Sequence, residues 1–175
     1  MTTGARAVLN DCRVALGMLE DEIDTQRWRV HWVGAVALIR AVGHVLDKID
    51  GKSNAALGRF ANTRFARWKL GVGDDRIFVK FIDRERNNIL KQYAFGVDTS
   101  EFVPVAVVSI AQEGPPNVDE AFDLDENLFR PVIWDGAVED ARDLYSQAIE
   151  WWQRELDELD RDLTLTSGHV AEYLG

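Results

Sequence analysis

Cysteine occurs once, proline four times and histidine three times in 175 residues, and each scarcity removes a class of protein. A lone thiol, Cys12, excludes an intramolecular disulfide and lacks the neighbours of a cysteine-based zinc site, so it reads as a small core residue. There is no His-Glu-x-x-His, no Glu-x-x-His and no Gly-x-Ser-x-Gly, which removes the commonest zinc-peptidase, di-iron-bundle and serine-hydrolase readings. Gly71-Val72-Gly73 before Asp74 lacks the spacing and the lysine of a phosphate loop and reads as a turn. The acidic residues between 113 and 126 have no metal-ligand spacing and read as a solvated face. No cofactor or metal is expected. An uninterrupted apolar run is also missing. The most apolar stretch, VHWVGAVALIRAVGHVL, is broken by His31, Arg40 and His44, which predicts a buried core helix and no contact with a membrane. The N-terminal MTTGARAVLNDCR has nothing resembling a secretory leader, so a cytoplasmic location is expected.

Positive charge is in short supply overall, with a formal net charge of −10, and non-specific affinity for nucleic acid comes mainly from neutralising phosphates. A general nucleic-acid coat protein is therefore excluded. The deficit is uneven, however. Residues 51–95 hold ten Lys/Arg against four Asp/Glu, a net +6 that leaves −16 for the remainder. Within that segment Arg59, Arg64, Arg67 and Lys69 alternate with Phe60, Phe65 and Trp68. Such interleaving can stack and neutralise single-stranded nucleic acid; it also arises when aromatics pack inward and cations face water.

What is abundant is helical periodicity, in a chain with 46% hydrophobic residues and enough length for one domain with a core, spanning 1–175. Residues 5–24 repeat Val8, Leu9, Cys12, Leu16, Leu19 and Ile23 at threes and fours. Residues 26–49 carry a broad apolar face from Trp28 to Ile49, as a central helix would. A third helix is expected from about 75 to 94, capped by Asp74 or Asp75 and stopped at Gly96. A fourth is expected over 137–163, capped by Asp135. Between the second and third lies a glycine-containing basic stretch, 50–74, expected to be a long connection with a short helix near 62–69. Residues 101–135 contain two β-branched runs, EFVPVAVVSIAQ and LFRPVIW, expected to pair across an acidic loop. The last residues, 164–175, are expected to fray. The fold class is thus mainly α: a bundle of four principal helices with a small β-hairpin or strand pair before the last.

One segment of the third helix asks for a function. In FIDRERNNILKQY, residues 81–93, a helical wheel puts Glu85 inside the arc of Phe78, Phe81, Ile82, Ile89 and Tyr93, with Arg86 at its edge. A buried carboxylate is costly without a partner. Arg40 and His44, one turn apart on the second helix, are the candidate partners. A cluster of Arg40, His44, Glu85 and Arg86 is expected, serving either as a ligand site or as a structural network that fixes helix register.

Arg86-Asn87-Asn88-Ile89-Leu90-Lys91 resembles the motif of the HEPN superfamily, in which an arginine is followed by a polar residue, often asparagine, and a histidine comes four to six residues after the arginine. The resemblance implies a small helical bundle acting on RNA without metal, across a dimer interface, in a toxin–antitoxin or defence setting. Lys91 stands where the histidine would be, so the likeness extends to Arg86 and Asn87. Lysine at its ordinary pKa is a poor general base near neutrality. The resemblance therefore implies binding of RNA or a nucleotide, or of a protein partner, by a catalytically degenerate or weakly ribonucleolytic member. The competing expectation is an interaction or scaffold protein with no site at all. Six tryptophans, two of them adjacent at 151 and 152, exceed what one small bundle readily hides and point to a homodimer.

Overall fold

A computed structural model describes the backbone of residues 1–98, 102–109, 117–125 and 129–172, and side chains at 1–98 and 129–166. The architecture is a helical bundle. Helix α1 (Thr3–Asp21) lies antiparallel to α2 (Thr25–Ser53). Asp24 starts α2 by accepting the Arg27 N–H at 2.8 Å. Helix α2 is longer than its apolar period implies because it widens into a π-helical segment, Leu46–Asp50, before a last turn. By length and composition it is apolar enough to cross a membrane, and Trp28, Trp32, Val36, Ile39 and Val42 bury its inner face in the core.

The stretch expected to be a connection is instead helix α3 (Ala55–Trp68), capped by the Asn54 side chain, which accepts from the Ala56 and Leu57 N–H groups. Its glycines permit a crossing. A Cβ on Gly58 would sit 2.8 Å from the Gly51 carbonyl oxygen, so α2 and α3 touch backbone to backbone at that point. The next helical run begins with a 3-10 turn at Gly73–Asp75 and a π-helical segment at Phe78–Asp83, then continues as α4 (Arg84–Gln92). Neither Asp74 nor Asp75 caps it through a side chain; Asp75 is buried, with its carboxylate facing Arg67 and Trp151. The stop is Tyr93, in the left-handed region at φ 50°, three residues before the expected Gly96.

Two antiparallel hairpins precede the last helix, and the pairing differs from the one expected. Strand β1 (Phe102–Ser109) pairs with β2 (Asn117–Asp125), with an irregularity at Val107/Val108. The expected acidic loop thus supplies a strand, although residues 110–116 lie outside the described residues. Strand β3 (Pro131–Trp134) pairs with β4 (Ala137–Asp140). Asp135 and Gly136, with φ of 49° and 89°, form the two-residue turn between them, as the twist of a hairpin requires. Asp135 is therefore not a helix cap. That part falls to Asp140, whose carboxylate accepts the Arg142 N–H at 2.8 Å and opens α5 (Ala141–Glu172). Helix α5 continues through most of the stretch expected to fray; 173–175 lie outside the described residues.

The core is unusually aromatic. Trp28 and Trp32 stack with centroids 5.4 Å apart, while Trp68, Phe78, Trp151 and Trp152 pack around one another, with Trp68 edge-on to both neighbouring indoles at 5.3 and 5.1 Å. Trp28, Trp32 and Trp152 donate their N–H groups to Leu19 O, Glu85 Oε1 and Ile39 O. The buried Trp68 N–H meets no hydrogen-bond acceptor among the described residues. Five of the six tryptophans are buried within this one chain. The surplus that suggested a homodimer is absorbed by the bundle itself.

Candidate functional site

The polar residues singled out in α2 and α4 separate into two groups. Glu85 is 5% exposed, and its carboxylate accepts the Trp32 indole N–H at 3.1 Å and the Gly96 backbone N–H at 2.9 and 3.1 Å. Neither Arg40, His44 nor Arg86 reaches it. A Cβ on Gly96 would lie 2.6 Å from the same carboxylate, which explains the glycine there. Glu85 therefore anchors the chain as it leaves α4, and the expected cation partner is replaced by two neutral donors.

The second group is cationic. Arg40, largely buried, donates through Nε to Asp83 at 3.1 Å and lies over the Phe78 ring at 5.6 Å. Its terminal nitrogens have no acceptor among the described residues. His44 is exposed, and its pKa is held below the ordinary 6.5 by partial burial first, then by the charges of Arg40, Arg86 and Lys48, against an opposing pull from Asp47. Arg86 is half-buried and donates to its neighbour Asn87 at 2.9 Å, fixing the asparagine side chain. Arg40, His44 and Arg86, from two helices, thus share one positive field, while Lys91 is exposed on the last turn of α4, apart from any contact with them.

A cleft of about 250 Å³ opens beside this field, between α2 and α3. Leu46, Ala61, Phe65 and Trp68 line it with apolar surface; Arg40, His44, Asp47, Lys48 and Asn62 give it a polar rim, in which Lys48 is paired with Asp47 at 2.7 Å. The first π-helical segment borders it through Leu46, Asp47 and Lys48, and the second ends on Asp83, the partner of the lining residue Arg40. Single π turns inside α-helices recur at functional sites because the extra residue redirects side chains. Lys48, Asn62 and Asp83 were not recognisable as site residues beforehand. Their roles come from the wider turns and from the α2–α3 crossing, neither of which leaves a mark in hydrophobic period.

The cations of the basic segment are mostly committed elsewhere. Arg64 meets Glu155, Glu158 and Asp162 at 3.2, 2.5 and 2.7 Å, and Arg67 pairs with Asp75 and Glu155. Lys69 reaches Asp83 at 3.4 Å. The alternation of arginine and aromatics in α3 thus docks part of a basic helix face on the acidic face of α5, while Arg59 and Phe65 stay exposed. Cys12 is buried, with its thiol pushed up to about 11 by burial, as an inert core residue would be. Among the described residues no group of three metal-ligating side chains assembles.

Comparisons with protein-family models, with curated proteins and with solved structures find no match.

Proposed function

We propose that this chain is a HEPN-like helical protein that binds a phosphate-bearing ligand, RNA or a nucleotide, through Arg40, His44, Arg86 and Asn87. One observation carries the reading: two helices bring Arg40, Arg86 and Lys48 to one histidine, whose proton affinity is lowered first by burial and then by these three charges, while Asp83 and Asp47 answer Arg40 and Lys48 and leave Arg86 with no carboxylate among the described residues. Like charges held together cost free energy that a bound anion returns. Arg86 is not sealed by Glu85, which spends its acceptors on Trp32 and Gly96. Lys91 and the exposed Arg84 extend the cationic surface along α4. Binding asks only for cations and donors, whereas cleavage asks for a proton-transfer group of suitable pKa; the protein acts as a binder in a toxin–antitoxin or defence setting.

The test is binding of labelled single-stranded RNA at low and moderate ionic strength, alongside a cleavage assay in chelator. Arg86→Ala with Lys91→Ala is expected to weaken binding about tenfold or more at low salt, as loss of two phosphate contacts should. The pH dependence has a definite sign. His44 is neutral in the free protein near pH 7, and an anion beside it restores its affinity for a proton, so binding takes up a proton and tightens as pH falls through the ordinary 6.5. His44→Gln is expected to flatten that profile. Undetectable RNA binding at low salt would leave the scaffold reading, which the structural engagement of Glu85, Arg64 and Arg67 favours. Metal-independent cleavage lost in His44→Ala would replace binder by enzyme.

A further inference from the structure

The α2–α3 cleft has more chemistry than a phosphate needs. Phe65, 39% exposed, presents an aromatic ring beside the cationic rim, with Lys69 over it at 5.6 Å. Asn62 is exposed on the same wall, and its amide, a donor and an acceptor side by side, has no hydrogen-bond partner among the described residues. Phe65 is held in place by edge-to-face contacts with Trp68 and Phe78, so the ring is ordered before anything binds. At about 250 Å³ the cleft is smaller than the roughly 300–1,000 Å³ of drug-sized sites. An extended strand does not fit, and a single small unit does.

We infer that the cleft is the seat of one nucleotide unit, with the base stacked on Phe65, its edge read by the Asn62 amide and its phosphate held by Arg40 and His44, beside a Lys48 already paired with Asp47. This rests on the phosphate-binding reading and adds the base to it. Three kinds of group that such a ligand needs line the one cleft. The aromatic face tolerates any base, the paired donor and acceptor of an amide match the amino and ring-nitrogen edge of an adenine, and the arginine fork suits a phosphate dianion. A simple anion site would use the cations alone and leave Phe65 and Asn62 idle. The shared chemistry covers a free nucleotide and the 5′-phosphorylated end of an RNA chain.

The experiment is calorimetric titration of the full chain with AMP, ribose 5-phosphate, adenosine and 5′-phosphorylated hexa-adenylate. AMP is expected to bind at least about tenfold more tightly than ribose 5-phosphate, the gain that one base stacked on an aromatic side chain supplies, and more tightly than adenosine. Phe65→Leu, which keeps apolar bulk against Trp68 and Phe78, is expected to erase most of the difference between AMP and ribose 5-phosphate. Asn62→Ala, at an exposed position, is expected to reduce it without disturbing the fold. Hexa-adenylate binding more tightly than AMP identifies an RNA end as the source, and the reverse identifies the free nucleotide; both fit the inference. Equal affinity for AMP and ribose 5-phosphate would overturn it while leaving phosphate binding intact. RNA binding without any response to AMP would also overturn it, by placing the ligand outside the cleft. If neither RNA nor AMP binds, the phosphate-binding reading fails first and this inference with it.

Discussion

Glu85 shows how a single buried carboxylate can be read correctly in position and wrongly in partnership. Its place in the apolar arc of α4 follows from a spacing of 100° per residue, and it is buried as that arc requires. The partners were not legible, because one is an indole N–H from α2 and the other a backbone N–H beyond the helix end; no side-chain pattern announces a backbone donor. Glu85→Ala should strand both donors and destabilise the fold by roughly 2–4 kcal/mol, since hydrogen bonds to a charged group are each worth about 1.5–3 kcal/mol. Glu85→Gln should cost less, because its amide oxygen still accepts. Denaturant titration measures both, and a loss below about 0.5 kcal/mol in the alanine variant would assign the carboxylate to solvent. The same limit of side-chain reasoning applies at Arg40, whose carboxylate partner is Asp83 and not the more conspicuous Glu85.

At the scale of elements, long apolar periods are legible and short or polar ones are not. Helices α1 and α2 and the body of α5 follow the recurrence of leucine, valine and tryptophan, so their existence and inner faces were readable. Helix α3 was readable only in its second half, near 62–69, because Gly51, Gly58 and its many arginines look like a connection; the glycines mark contact between helices and the arginines mark a partner helix. The hairpin of β3 and β4 turns on Asp135-Gly136, a turn pair in the sequence that the reading of Asp135 as a helix cap passed over. In β2, Phe122 and Leu124 alternate with Asp123 and Asp125, a period of two that the acidic composition disguised. Gly58→Ala tests the crossing. By helix propensity alone alanine is favoured over glycine by about 1 kcal/mol. With the new Cβ 2.8 Å from the Gly51 carbonyl oxygen, the crossing must open, and a net loss of about 1–3 kcal/mol is expected. A variant as stable as the parent in thermal unfolding would show that α2 and α3 are looser than this geometry implies.

Across the whole molecule the uneven charge of the chain resolves into an internal fit. Glu155, 6% exposed, lies between Arg64 and Arg67, so the positive middle of the sequence is held against its negative end. Arg64→Ala removes three ion-pair contacts, two of them to half-exposed carboxylates that water already screens. A loss of about 1–3 kcal/mol is expected, chiefly from Glu155. Its effect on RNA is the sharper prediction. Arg64→Ala should leave affinity within about twofold of wild type, because an occupied guanidinium releases no phosphate counterion, and filter binding against Arg86→Ala compares the two directly. Equal losses in both variants would show that Arg64 exchanges its carboxylates for phosphate.

The α3–α5 contact also sets the charge that the molecule shows to solvent. Glu155, Glu158 and Asp162 recur along one face of α5 at intervals of three and four residues, which makes a row of negative charge facing a helix of arginines and aromatic rings. The acidic row of α5 thereby neutralises, inside the chain, cations that α3 would otherwise show to solvent. Much of the charge that makes the middle of the sequence basic is thus spent within the fold, and the field outside is set by the residues that α5 does not reach.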